Sequence, residues 1–232
     1  MTSRQEFQNE IRYLHEQIIR MGAAVEKALT LATDALFNAD SELSKQVIAG
    51  DDLIDEQERE IDRQCVRLIA LQQPVARDLR DVTSNLKLIT DLERIADHAV
   101  EIAGHTLHLH GLGNTMTIPP DLIRLAELTR QILRAALDSY VSRDKTKAAL
   151  TIQMEQPINE IYQKVSSGLI EQMKDKGEAM NSLAELLLIS KDFERAAAHA
   201  QNVAEWVIYY IDGRHAYYLE EEGQIELEHD DG

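Results

Sequence analysis

A single cysteine, Cys65, excludes an intrachain disulfide and points to a reducing compartment. Four prolines and ten glycines in 232 residues, with aromatics at only 5%, leave little of the punctuation and strand-favouring chemistry of a β-rich fold. Positive charge is also scarce: 24 Lys and Arg stand against 41 Asp and Glu, a formal charge of −17. A phosphate backbone is held by clustered Lys and Arg, so this balance argues against nucleic acid as a partner. No charge-free apolar run approaches the roughly 20 residues of a membrane-spanning helix. The opening stretch, MTSRQEFQNEIRYLHEQ, has no signal-peptide apolar core. The expectation is a cytoplasmic protein that meets a membrane only through partners.

Catalytic motifs are missing too. No Gly-x-Ser-x-Gly, Gly-x-Gly-x-x-Gly, Walker A or His-Glu-x-x-His occurs. Di-iron bundles need Glu-x-x-His on two core helices, and the one such spacing, Glu226-x-x-His229, falls near the end of the chain. No enzyme is expected.

What is present is helix-forming: Leu, Ile, Ala, Glu, Lys, Arg and Gln fill long stretches. Six helices follow from period and punctuation. Ser3-x-x-Glu6 is a capping box opening a helix with Ile11, Leu14, Ile18, Met21, Val25, Ala28 and Ala32 at helical spacing. Asn38 to Ser41 offers a turn and a new N-cap. The second helix carries Val47, Ile54, Ile61 and Leu68 seven apart and runs to Gln73-Pro74. A third, about 76–107, has a bundle seam at Leu88, Leu92, Ile95, Ala99 and Ile102. His108 to Pro120 reads as a linker, and Pro120 suits the first position of a fourth helix ending near Val141. Ser142 to Asp144 caps a fifth helix, ending near Lys176-Gly177. A sixth spans about 178–211 and stops at Asp212-Gly213.

The halves repeat. Asp91-Leu-Glu-Arg-Ile-Ala-Asp-His-Ala corresponds to Asp192-Phe-Glu-Arg-Ala-Ala-Ala-His-Ala, an offset of 101 residues (192 − 91). Asp51-Asp-Leu-Ile-Asp55 corresponds to Glu155-Gln-Pro-Ile-Asn159. The architecture expected is all-α, two tandem three-helix bundles made by internal duplication. The first repeat takes residues 1–110, a linker 111–120, the second repeat 121–213, and an acidic tail 214–232.

Chemistry is concentrated in carboxylates. Asp51 and Asp55 stand four apart on the second helix, with Glu58 and Asp62 extending the stripe; Glu93, Asp97 and Glu101 do the same on the third. Such a stripe is either a solvated acidic face or a site for a hard cation, which takes several carboxylate oxygens. Arg94 and Arg195 read as internal salt-bridge partners that orient these acids. His98 and His199 occupy equivalent repeat positions and read as surface or packing residues, turned away from the carboxylate face. His105, His108 and His110 crowd the end of the third helix, where positive charge suits the dipole. Such a cluster can catch softer divalent metals, but it reads more simply as an accident of the linker. Cys65 reads as a small buried hydrophobe, and Trp206, Tyr209 and Tyr210 as core packing with an interface role second.

The block Leu-Ile-Ala-Leu-Gln-Gln-Pro-Val-Ala-Arg-Asp-Leu-Arg at 68–80, followed by Thr90-Asp-Leu-Glu-Arg-Ile-Ala-Asp97, resembles the first-repeat signature of the PhoU family. Leu186-Leu-Leu-Ile-Ser-Lys-Asp-Phe-Glu-Arg195 and Asn202-Val-Ala-Glu-Trp-Val-Ile-Tyr-Tyr210 resemble its second. The resemblance implies two three-helix bundles and a role damping the phosphate-starvation response. It implies as partners a phosphate ABC transporter, through its ATPase subunit, and a sensor histidine kinase. It also implies metal ions (Fe, Zn, Mn or Mg) held by acidic E(D)-x-x-x-D motifs, which fall here on Asp51 with Asp55 and Glu93 with Asp97. The second-repeat counterparts depart: Glu155 pairs with Asn159, and Glu194 with Ala198. Alanine at Ala96 and Ala197 replaces the family's usual glycine.

The leading expectation is therefore a non-enzymatic, metal-binding regulator of phosphate uptake, working as a homodimer. Its rivals are a helical scaffold with a merely solvated stripe, and a metal-dependent hydrolase or oxidase, which lacks a base or nucleophile outside the proposed ligands.

Overall fold

The computed structural model describes residues 3–113, 117–175 and 179–214. The protein is all-α. Helices α1 (Ser3–Asn38), α2 (Ser41–Gln72) and α3 (Arg77–Gly111) form the first three-helix bundle. The second comprises α4 (Pro120–Ser142), the consecutive helices α5 (Lys145–Ile152) and α6 (Glu155–Asp175), and α7 (Met180–Asp212). The described residues contain no strand. The Ser3 side chain, Glu226, His229 and the tail beyond Arg214 lie outside the described residues.

Helix boundaries follow local chemistry. Asp40 starts α2 by accepting from Glu42 N and Leu43 N at 2.9 and 3.1 Å. Asp144 does the same for α5 with Thr146 N and Lys147 N at 2.9 and 3.1 Å. Gly213 ends α7 in the left-handed region at φ 77°, where a side chain would be strained.

Two expectations need correction. Residues 144–176 are not one helix. Pro157 has no N–H for the Gln153 carbonyl four residues back, and its ring would collide with it. The helix therefore ends at Ile152 and restarts at Glu155, placing Pro157 in a first turn, where a missing N–H is tolerated. In turn, α3 runs on to Gly111, so His108 and His110 are helical rather than part of a linker.

The core is the expected helical stripe. Val47, Ile54, Ile61 and Leu68 on α2 are all buried, as are Leu14, Ile18, Met21, Val25 and Ala32 on α1. Helices α3 and α7 are buried on two sides, because each closes its own bundle and also packs against the other. Theirs is the most extensive helix pair in the molecule. They run antiparallel, since residues 91, 98 and 105 meet 199, 192 and 185 in turn. A lesser contact joins α1 to α4, where a β-carbon at Gly22 would lie 2.6 Å from Leu137 Cδ2. Above it, Tyr140 Oη donates to Asn85 Oδ1 at 3.0 Å and lies 2.6 Å from His15 Nδ1, joining α1, α3 and α4. Cys65 is fully buried, and burial with the nearby Asp62 and Asp81 pushes its thiol up to about 12.

Candidate functional site

Helices α2 and α3 lie side by side, and their i, i+4 carboxylates meet along the shared outer edge. Asp51 is raised above the ordinary aspartate range by partial burial, then by the charges of Asp55 and Asp97. Glu93 is raised by burial, then by Asp97, with Asp55 and Glu58 adding to it against Arg94. Glu58 is raised by burial, Asp62 and Asp55. These cross-helix couplings place Asp51, Asp55, Glu93 and Asp97 in one field of like charge. Two arginines answer it: Arg59 donates to Asp55 at 2.7 Å, and Arg94 to Asp97 at 2.9 Å with Glu93 at 3.5 Å. Both arginines are more than half exposed, so an arriving cation can displace them. Four hard oxygen donors that repel one another when ionised fit a hard cation. Glu101, one turn beyond Asp97, is exposed and lies 3.9 Å from His105.

The matching place in the second half is differently satisfied. Asn159 Nδ2 donates to Glu155 at 2.6 Å, and Lys191 donates to Glu194 at 2.6 Å. Ala198 contributes no oxygen. Burial raises Glu155, partly offset by the Asn159 hydrogen bond, with Glu194 a smaller raising influence. Only two carboxylates remain here, each already holding an amide or ammonium donor, so the set fits a cation less well than the first-half stripe. Arg195 reaches Glu194 only at 3.9 Å.

A third polar constellation lies on the seam between the halves. Asp91 accepts three hydrogen bonds from α7: His199 Nδ1 at 2.8 Å, Asn202 Nδ2 at 3.0 Å and Trp206 Nε1 at 2.9 Å. Reciprocally, Asp192 on α7 faces His98 Nδ1 on α3 at 3.2 Å. The two histidine rings stack between them, centroids 5.8 Å apart. Trp206 is partly buried, packing against the core as expected while its indole N–H donates across the seam. Glu205, on the same stretch of α7, is raised by burial and by Asp91.

This duplicated arrangement agrees with comparison to known proteins. The PhoU domain matches twice, at residues 18–106 and 122–207, one per half. Across 91% of this chain and 97% of its own length, the PhoU homolog of Clostridium acetobutylicum is 32% identical; it is named a phosphate-specific transport system accessory protein. The similarly named protein of Escherichia coli is 32% identical over 90% of this chain and 86% of its own. The crystal structure of PhoU from Pseudomonas aeruginosa superposes with a TM-score of 0.87 at 32% identity, covering 90% of this chain and all of that one. That of the phosphate transport system regulatory protein PhoU from Streptococcus pneumoniae gives 0.84 at 28%, covering 90% and 99%.

The chain belongs to the PhoU family.

In this PhoU-family protein the acidic stripe was legible from spacing, whereas the seam was not. Asp91, Asp192, Asn202 and Glu185 carry no motif of their own. A signal was nonetheless available: Asp91 precedes His98 by seven residues, as Asp192 precedes His199. Seven residues are close to two helical turns, so aspartate and histidine share a face in both repeats. That repeated face is the one each half turns toward the other.

Proposed function

We propose that this PhoU-family protein regulates phosphate uptake and phosphate-starvation signalling as a cytoplasmic, non-catalytic homodimeric adaptor. Its partners are the ATPase subunit of a phosphate ABC transporter and a sensor histidine kinase. The observation that carries this reading is similarity over nine-tenths of the chain to proteins named as accessory to phosphate-specific transport. No helix of the described residues is long and apolar enough to cross a membrane, which is in keeping with action through partners. Asp51, Asp55, Glu93 and Asp97 are the residues that would hold a metal. A bound ion supplies the positive charge that Arg59 and Arg94 otherwise provide, freeing those arginines.

Deleting the gene tests the role: derepressed starvation genes and altered phosphate uptake are expected, and an unchanged phenotype refutes it. The arginine pairing of the acidic stripe also favours a second reading, a scaffold with no functional metal. Equilibrium dialysis with metal analysis separates the two, because a scaffold retains no stoichiometric ion.

A further inference from the structure

Along the seam, two turns beyond His98, His105 sits between carboxylates on both sides. Its Nδ1 lies 2.7 Å from Glu185 Oε2, and its Nε2 lies 3.8 Å from Asp192 Oδ2 and 3.9 Å from Glu101 Oε2. A neutral imidazole has one donor nitrogen, so in either tautomer a lone pair faces an acid. His108, one turn further along α3, brings its Nδ1 to 3.8 Å from Glu185 Oε1. The ligand atoms of His105, His108 and Glu185 all lie within 4.8 Å of one another. We propose that these three side chains form a site for a borderline divalent metal of the Zn2+ class, clamping the end of α3 to the start of α7.

The donor set is suited to that ion. Two imidazoles and a carboxylate are a recurring three-ligand zinc set with a fourth position left to water. With bonds of 2.0–2.1 Å, tetrahedral ligands stand about 3.3 Å apart. The 2.7 Å separation of His105 Nδ1 from Glu185 Oε2 has to open by about 0.6 Å, and the widest pair of ligand atoms, within 4.8 Å, has to close by at most about 1.5 Å. Side-chain torsions alone supply such shifts. His108 is 73% exposed and, with Glu185, lines an open cleft that also includes Asn181 and Leu112. An ion and its water therefore have a path in.

An independent observation points the same way. Asp192 Oδ2 is buried and accepts no hydrogen bond among the described residues. When Nδ1 of His105 binds metal, its proton resides on Nε2, the nitrogen that faces this orphaned oxygen. Carboxylates behind a ligating histidine fix its tautomer and raise its basicity in just this manner. The site is also not a by-product of the duplication. The equivalent positions at the other end of the seam, offset by 101 residues, are Ser84, Trp206 and Tyr209, which do not form such a set.

The test is calorimetric titration of the full chain with Zn2+, together with visible spectra of the Co2+-loaded form. All variants are made in a Glu93→Gln/Asp97→Asn background, so the acidic stripe neither binds nor confuses the count. In that background one Zn2+ per chain is expected, with the intense visible absorption of tetrahedral Co2+. His108→Ala changes an exposed residue and Glu185→Gln preserves shape, so each should fold, which a circular dichroism spectrum checks. Each should weaken Zn2+ by roughly tenfold or more and abolish the Co2+ signal. Zinc binding that is absent in the background, or unchanged by both substitutions, overturns the site. Neither result bears on the acidic stripe or on the proposed role in phosphate signalling.

Discussion

Replacing Asp91 with asparagine keeps the side chain's size and removes half of its accepting capacity. In the native seam Oδ1 accepts from His199 and Asn202 at 2.8 and 3.0 Å, and Oδ2 from Trp206 at 2.9 Å. An asparagine can retain the first pair only by turning its own NH2 toward the indole N–H, donor against donor. The lost bond leaves a partly buried donor unsatisfied, a cost of about 1–3 kcal/mol. The two surviving bonds lose their charge assistance, adding about 1 kcal/mol. The total is about 2–4 kcal/mol, or roughly 5–15 °C in melting temperature for a domain of this size. Asp192, the repeat counterpart, accepts from His98 alone at 3.2 Å, and its other oxygen has no hydrogen-bond partner among the described residues. Asp192→Asn should therefore cost about 1 kcal/mol or less. Thermal melts of the metal-free protein at neutral pH compare the two directly. Equal losses, or a larger loss at Asp192, would refute the account of the seam as an asymmetrically satisfied pair.

Three further outcomes are expected. Metal should raise the melting temperature with concentration, by mass action; Glu93→Ala/Asp97→Ala should remove most of the shift produced by a hard cation such as Mn2+, whereas Glu194→Ala should change it little, and the reverse pattern would contradict the assignment of the first-half stripe. Glu93 is held above the ordinary glutamate range by burial and by Asp97, so the folded state binds its proton more tightly than the unfolded chain. Its destabilising contribution is fully present above the raised value and is relieved as pH falls through it toward the ordinary one; Glu93→Gln should accordingly stabilise the metal-free protein at pH 7 and flatten this part of the melting-temperature profile. Finally, the Cys65 thiol, buried and pushed up to about 12, should resist alkylation by iodoacetamide at pH 8 until the protein is unfolded; rapid labelling of the native state would show that α2 opens locally.

Much of this protein is legible in its sequence because helices are local objects. Val47, Ile54, Ile61 and Leu68 recur at a spacing that only a helix aligns, and all four are buried. Asp40 and Asp144 announce helix starts two and three residues before the amides they cap. The duplication appears in the letters themselves, and with it the paired architecture. Even the helix that proved to be two carried its signal, since Pro157 has no N–H to give the Gln153 carbonyl. The acidic stripe was visible for the same reason: i, i+4 carboxylates share a face before any folding occurs.

What lay beyond the sequence was every relation between residues far apart along the chain. Periodicity states that α3 has buried faces without saying which helix covers each. Packing α3 antiparallel against α7 decides that Asp91 meets His199, that Asp192 meets His98, and that His105 and His108 meet Glu185. Tertiary structure also decided that the Asp51 and Asp55 pair on α2 faces Glu93 and Asp97 on α3. The arginines that answer these acids are local, Arg59 four residues from Asp55 and Arg94 three from Asp97. Backbone hydrogen bonds reach four residues, so sequence pattern determines the elements. Side-chain electrostatics acts over ångströms of space, and only the folded chain brings those partners within reach.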